Sequence, residues 1–193
     1  VSVTGGASTL GEPQRDTAIM LQKQLDAQGG VVGPDGVRHP VQLLIHDTEG
    51  KGDVAVPITK KLINDDQVVA IVGPSTSPES MALIPVVQEA KVPNISLASS
   101  GDIVKPVAER YWVFKVAQSN EHTAPWQVRY VAAKGMKRIA NVYVNNAYGE
   151  DGAAAIRRTA EEEGIEIALE ETFDAADSDM TAQITKIRAS DAE

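Results

Sequence analysis

The sequence predicts an α/β fold, with a doubly wound, mainly parallel sheet in a first lobe of residues 1–117 and the opening half of a second α/β lobe in residues 118–193. Three observations carry this expectation. Strand-like and helix-like segments alternate along the chain, the order that lays helices over both faces of a parallel sheet. Val68–Val72 is continuously apolar, as a strand buried on both faces should be. Turns rich in glycine and hydroxyls follow the strand-like segments, where an open parallel sheet places its ligand crevice.

Val1–Thr4 reads as a first strand, entering the loop Gly5-Gly6-Ala7-Ser8-Thr9-Leu10-Gly11 and then a helix with Pro13 in its first turn and Gly29-Gly30 at its end. Val41–Asp47 is a short apolar run after Pro40, a second strand, followed by a helix over Asp53–Asp65 with Val54, Ile58 and Leu62 at helical spacing. Val68–Val72 is the third strand, and Ser77-Pro78-Glu79 opens a helix to about Ala90, with Ser77 as its cap. Asn94–Leu97 and Tyr111–Val116 are strands four and five. After the polar stretch Gln118–Glu121, a helix from Thr123 to Lys134, a strand Arg138–Val144 and a helix Gly149–Glu163 follow. A strand Glu166–Thr172 and a helix from about Met180 complete the order. Two strands fall short of the four to six usual in a covered sheet, so the second lobe is expected to be cut short.

Composition narrows the function. At about 150 residues per domain, 193 residues hold one large domain or one and a half. A 42% hydrophobic share and a mean hydropathy of −0.17 suit a globular chain with a packed core. No run of about 18 apolar residues exists to span a bilayer. The net charge of −9 argues against nucleic acid and anionic membrane surfaces as partners, and 13 of the 27 acids but 4 of the 18 bases lie in residues 150–193. With no cysteine, disulfides, thiolate catalysis and zinc-thiolate or iron-sulfur sites are excluded. The opening residues lack the charged start and apolar stretch of a secretion signal, so a signal peptide is expected to be absent from this chain.

The chemical motifs are weak until the strand-end turns. Gly6–Gly11 has the glycine spacing of a phosphate loop, but Glu12 stands where the lysine belongs, and GxGxxG is not completed. His39, His46 and His122 have no metal-ligand spacing, and His46-Asp47 lacks an elbow presenting a nucleophile, so both are read as structural. Asp174, Asp177 and Asp179 form a solvated acidic loop rather than a calcium loop. No catalytic residue, metal or cofactor is expected. Gly73-Pro74-Ser75-Thr76-Ser77-Pro78, by contrast, sets hydroxyls before a helix whose positive end favours a carboxylate. Ser96-Leu97-Ala98-Ser99-Ser100-Gly101-Asp102 follows the neighbouring strand, so both turns aim at one crevice.

Several strings in order carry a resemblance: Gln28-Gly29-Gly30-Val31-Val32-Gly33, Val41 to Asp47, Lys61-Leu62-Ile63-Asn64-Asp65-Asp66-Gln67 running into Val68–Pro74, Ile84-Pro85, Val92-Pro93-Asn94-Ile95-Ser96 and Tyr148-Gly149-Glu150-Asp151-Gly152. Nearly end to end, the sequence resembles the type I periplasmic solute-binding proteins of ABC transporters, the leucine/isoleucine/valine-binding-like receptors. The resemblance implies two lobes that close on a small solute and dock on a membrane permease, in the periplasm or outside the cell, without catalysis. It implies that Ser77, Ala98 and Ser100 hold the carboxylate and ammonium of an amino acid, with Ser75 and Ser99 beside them. Tyr148 resembles the aromatic that covers the solute from the second lobe, and Leu10 stands where amino-acid binders often carry an aromatic wall. Family members are commonly close to twice this length, so the chain is expected to be a fragment. A ligand-sensing domain of a signalling receptor shares the fold, and a hydrolase-type α/β enzyme is the more distant alternative. Replacing Ser77 and Ser100 together by alanine is expected to erase ligand-induced stabilisation and to leave the unliganded melt nearly unchanged.

Overall fold

Where apolar residues recur at helical spacing between capping and breaking residues, the computed structural model, which describes all of residues 1–193, contains helices. In chain order the elements are α1 (Ser8–Gln28), β1 (Val31–Val32), β2 (Arg38–His39), α2 (Gly52–Asn64), β3 (Ile71–Val72), α3 (Ser77–Ala90), β4 (Asn94–Ser96) and β5 (Val113–Lys115). They continue with α4 (Asn120–Ala133), β6 (Arg138–Val144), α5 (Ala147–Glu163), β7 (Glu166–Phe173) and α6 (Thr181–Ala189). β3, β4 and β5 form a parallel sheet in that order, Ile71 opposite Asn94 and Asn94 opposite Val113. Ile71, Ile84, Val87, Ala98, Ile103 and Val113 make the core between this sheet and α3. β6 and β7 pair in parallel, and a separate cluster of Val128, Ala160 and Ile165 packs under them. These are the parallel sheets and interleaved helices of the expected fold class.

Four local expectations change. α1 begins at Ser8, inside the stretch expected to be a loop. Gly11 permits this, because a Cβ there would stand 2.0 Å from the Ser2 carbonyl oxygen, so the helix lies directly on the opening segment. Val1–Thr4 and Val41–Asp47 touch without forming a ladder. Val1 N donates to His46 O at 3.0 Å and Thr48 N to Val1 O at 3.0 Å, but side chains take the neighbouring backbone groups. Asp47 accepts from Val3 N and Thr4 N at 2.8 and 3.1 Å, and Gln22 of α1 bonds Val41 O and Leu43 N at 2.9 and 2.6 Å. Third, of Val68–Val72 only Ile71 is buried, while Val69 is 90% and Val72 61% exposed. The expectation of burial on both faces fails because the core packs against one face: Ile71 joins Ile84 and Val87 of α3, while the opposite face, with Val72, is left uncovered. Fourth, the antiparallel pair β1–β2 was not anticipated, although Pro34-Asp35-Gly36 between its strands is a turn sequence with a mechanism.

Asp47 pins the opening segment. Beyond Val3 N and Thr4 N, its carboxylate accepts from Thr4 Oγ1 at 2.6 Å and Glu49 N at 2.9 Å. The Thr4 hydroxyl leads the donors that favour the ionised form and hold this carboxyl at about 2, against an ordinary 3.8. The folded protein therefore takes up this proton less readily than the unfolded chain. The stabilisation is complete above the unfolded value and is lost as pH falls through the folded one. Asp47→Asn should lower unfolding free energy at pH 7 by about 1 kcal/mol. In urea melts the gap between variant and parent should close between pH 4 and about 2; a gap constant across that window contradicts the assignment.

Candidate functional site

The turn after β3 is built around the start of α3. Thr76, not Ser77, is the cap. Its hydroxyl oxygen accepts from Glu79 N at 3.5 Å, and Glu79 Oε2 accepts from Thr76 N at 3.1 Å and from Thr76 Oγ1 at 2.6 Å. This reciprocal capping box explains the correction: Thr76 and Glu79 have the three-residue separation it needs, whereas Ser77 already lies in the helix. Glu79 is fully buried and also accepts from Ser2 Oγ at 2.9 Å, while its Oε1 has no partner. The cap consumes the N–H groups of Thr76 and Glu79, and Pro78 has none. Ser77 N is the N–H of this helix start that remains open.

Relieved of capping, Ser77 joins the two turns. Its Oγ accepts from Ser100 N at 3.1 Å, and Leu97 N donates to Pro74 O at 3.2 Å. Below them Ser80 Oγ and Ser96 Oγ lie 2.7 Å apart, and Ser96 Oγ accepts from Ala98 N at 3.1 Å. Ser100 Oγ accepts from Asp102 N at 3.3 Å and so starts a short 3-10 helix, Gly101–Val104. Ser75 Oγ accepts from Ser2 N at 2.9 Å and donates to Gln14 Oε1 at 2.6 Å. Leu10, one turn before Gln14 on α1, is half exposed. Ser75, Ser77, Ala98, Ser99 and Ser100 thus stand together at the carboxyl ends of adjacent strands. Four of these five are buried; Ser99 is partly exposed.

Tyr148 arrives from the other half of the molecule. Asn146 caps α5, its Oδ1 accepting from Tyr148 N at 2.9 Å and Gly149 N at 3.2 Å. Asn120, the first residue of α4, ties this helix mouth to the second turn. Its N–H donates to Ser99 O at 3.3 Å and its Nδ2 to Tyr148 O at 2.9 Å. The Tyr148 side chain is about half exposed beside that joint. Sequence reasoning missed Gln14, Thr76, Glu79 and Asn120. The Thr76–Glu79 spacing was readable, but Asn120 lies 28 residues from Tyr148 and carries no local signal. His46 and Asp47 do not form a catalytic pair: Asp47 faces Val3, Thr4 and Glu49, and the His46 carbonyl accepts from Val1 N. Two open surface depressions, one between α2 and α3 and one beside β5, include none of the turn residues.

The serines therefore have structural duties, which changes what their removal should do. Ser77→Ala leaves the buried Ser100 N–H without its acceptor and should destabilise the unliganded protein by about 1–3 kcal/mol. The expectation of an unchanged melt for the Ser77 and Ser100 replacements is corrected on this ground. Calorimetry without ligand checks it, and a Ser77→Ala melt equal to the parent's would show that the joint is not formed in solution.

The sequence profile described as "Periplasmic binding protein" matches residues 1–193. The chain is 26% identical over 187 residues to the leucine-, isoleucine-, valine-, threonine-, and alanine-binding protein of Pseudomonas aeruginosa, covering 96% of this chain and 48% of that protein. Its structure is similar to an extracellular ligand-binding receptor from Rhodopseudomonas palustris HaA2, with a TM-score of 0.85, 28% identity and coverage of 97% and 49%. It is also similar to the branched-chain amino acid transporter substrate-binding protein LivJ from Streptococcus pneumoniae in complex with isoleucine, with a TM-score of 0.83, 25% identity and coverage of 98% and 52%. The chain spans about half the length of the relatives it matches. By its full-length match, and with a fold shared with solved receptors, the chain belongs to the periplasmic binding protein family.

Proposed function

We propose that the protein is the solute receptor of an ABC importer, binding an amino acid or similar small carboxylate between a lobe of residues 1–117 and a lobe that begins at residue 118. In this reading it works in the periplasm or outside the cell, delivers its solute to a membrane permease and catalyses nothing. The observation that carries the proposal is the Asn120 joint, which links Ser99 of the second turn to Tyr148 at the mouth of α5. Relatives named for branched-chain amino acids support the ligand class.

The chemistry follows from the groups around that joint. Ser77 offers both its open N–H and its hydroxyl proton to a carboxylate, at the positive end of α3. The Ala98 carbonyl and the Ser100 hydroxyl are the neighbouring acceptors for an ammonium. Neutral donors and acceptors take up a zwitterion without leaving a full charge of the protein buried and unpaired when the solute departs. Leu10 supplies an apolar wall and Tyr148 a ring that closes over the solute as the lobes approach.

A thermal-shift panel of L-amino acids and small aromatic carboxylates tests the proposal. At a hundred times Kd, a binder should stabilise the protein by about 2.7 kcal/mol. Tyr148→Ala should reduce affinity about tenfold and leave the unliganded melt unchanged, since that ring is half exposed. No stabilisation and no titrating NMR signal with any member of the panel overturns the reading.

A further inference from the structure

Residues 116–119 carry the chain from the β3–β5 sheet across to α4 and the β6–β7 pair. One carboxylate collects hydrogen bonds around this crossing. Asp151 lies on α5, three residues after Tyr148 and therefore on the same side of the helix. Its Oδ2 accepts from Gly101 N at 3.1 Å and from Asn120 Nδ2 at 2.8 Å. Gly101 directly follows Ser100, and Asn120 begins α4. One oxygen thus holds the second turn, the crossover and α5 together.

A Cβ at Gly101 would stand 3.4 Å from Asp151 Oδ1 and one at Gly152 3.5 Å from Asn120 Nδ2, ordinary contact distances, so the joint does not depend on glycine at either position. Around this centre Lys105 pairs with Glu121, and Arg158 of α5 reaches the same Glu121 oxygen at 3.6 Å. Those pairs are exposed and individually weak. Lys115, partly buried, donates to Ala117 O at 2.7 Å and Ser119 Oγ at 3.0 Å, which stiffens the crossing itself. The two Asp151 bonds differ in kind. Asn120 sits on the α5 side of the crossing and stays with Asp151 if the halves separate, whereas Gly101 moves away. Opening must therefore break the Gly101–Asp151 bond, together with the bond from Asn120 N to Ser99 O.

We propose that Asp151 is an inter-lobe clasp: by accepting from Gly101 N it fixes the second turn against α5 and positions Tyr148 over the solute site. Its effect on ligand affinity rests on the solute-receptor reading above; its effect on orientation does not.

The chain has no cysteine, so Glu89→Cys on α3 and Glu162→Cys on α5, both at exposed positions, accept spin labels uniquely. Electron–electron distance measurement should give one narrow distribution in the parent, a broadened and longer one in Asp151→Ala, and a narrow one again in Asp151→Asn, whose amide oxygen still accepts from Gly101. The Gly101 amide should exchange at least tenfold faster in Asp151→Ala, while amides of β6 and β7 keep their protection and show that the variant is folded. A distribution in Asp151→Ala as narrow as the parent's, or an unchanged Gly101 exchange rate, overturns the clasp. With L-leucine as probe, Asp151→Ala should raise Kd about tenfold and Asp151→Asn much less. Unchanged affinity beside a broadened distribution overturns the positioning role. If leucine and the wider panel do not bind the parent, the solute-receptor reading fails, and the distances alone judge the clasp.

Discussion

The arrangement turns on a buried hydrogen bond between two turns that are 23 residues apart in sequence, Ser100 N to Ser77 Oγ. A buried N–H without a partner costs more than the net worth of a typical hydrogen bond, so the two turns are bound to approach each other. Their approach brings together the carboxyl ends of β3 and β4, seats Ser100 to start the 3-10 helix, and lets Leu97 reach Pro74 O. The same joint explains why Thr76 rather than Ser77 caps α3. A capping serine at 77 would have its oxygen engaged by its own helix and would leave Ser100 N unserved.

How much was legible in the sequence depended on the range of the interaction. α2, α3, α5, β6 and β7 follow from periodicity and breakers alone, since Val54, Ile58 and Leu62 repeat at helical spacing and Gly164 ends α5 in a left-handed conformation. The clustering of Ser75, Ser77, Ala98, Ser99 and Ser100 was legible as a consequence of adjacent parallel strands. What was not legible is set by contacts over long separations. Gln22 takes backbone groups of Val41 and Leu43 that a strand would have taken, and Asp47 takes those of Val3 and Thr4. A polar side chain that replaces a ladder partner leaves no periodic signature, so both segments read as ordinary strands.

Apolar composition misled at β3 for a related reason. A run such as Val68–Val72 reports that a segment is suited to burial on both faces, but burial itself requires elements packed over both faces. With Ile71 packed against Ile84 and Val87 of α3, β3 leaves Val72 on the other face largely in solvent. Phe114 of β5, at the other edge of the same sheet, is likewise half exposed. These edges contrast with the middle strand, where Asn94 is fully buried and donates through Nδ2 to Gly73 O at 2.7 Å, bracing the strand end that leads into the first turn.

In the proposed solute site, the helix start of α3 limits what a ligand carboxylate would gain. A helix presents four unpaired N–H groups at its start, and an expectation based on that number overstates the site. Here Glu79 Oε2 takes Thr76 N, Thr76 Oγ1 takes Glu79 N, and Pro78 has no N–H. The buried Glu79 also lies in the first turn, where an acidic side chain offsets part of the positive end. One residue, Ser77, is left to offer an N–H and an O–H from adjacent atoms. Such a pair suits the two oxygens of a single carboxylate and offers little to the greater charge of a phosphate. In the proposed receptor the capping box would thus narrow the anion as well as stabilise the helix. The solute class would then be set as much by the donors that α3 uses for itself as by the Ser77 groups it leaves unpaired.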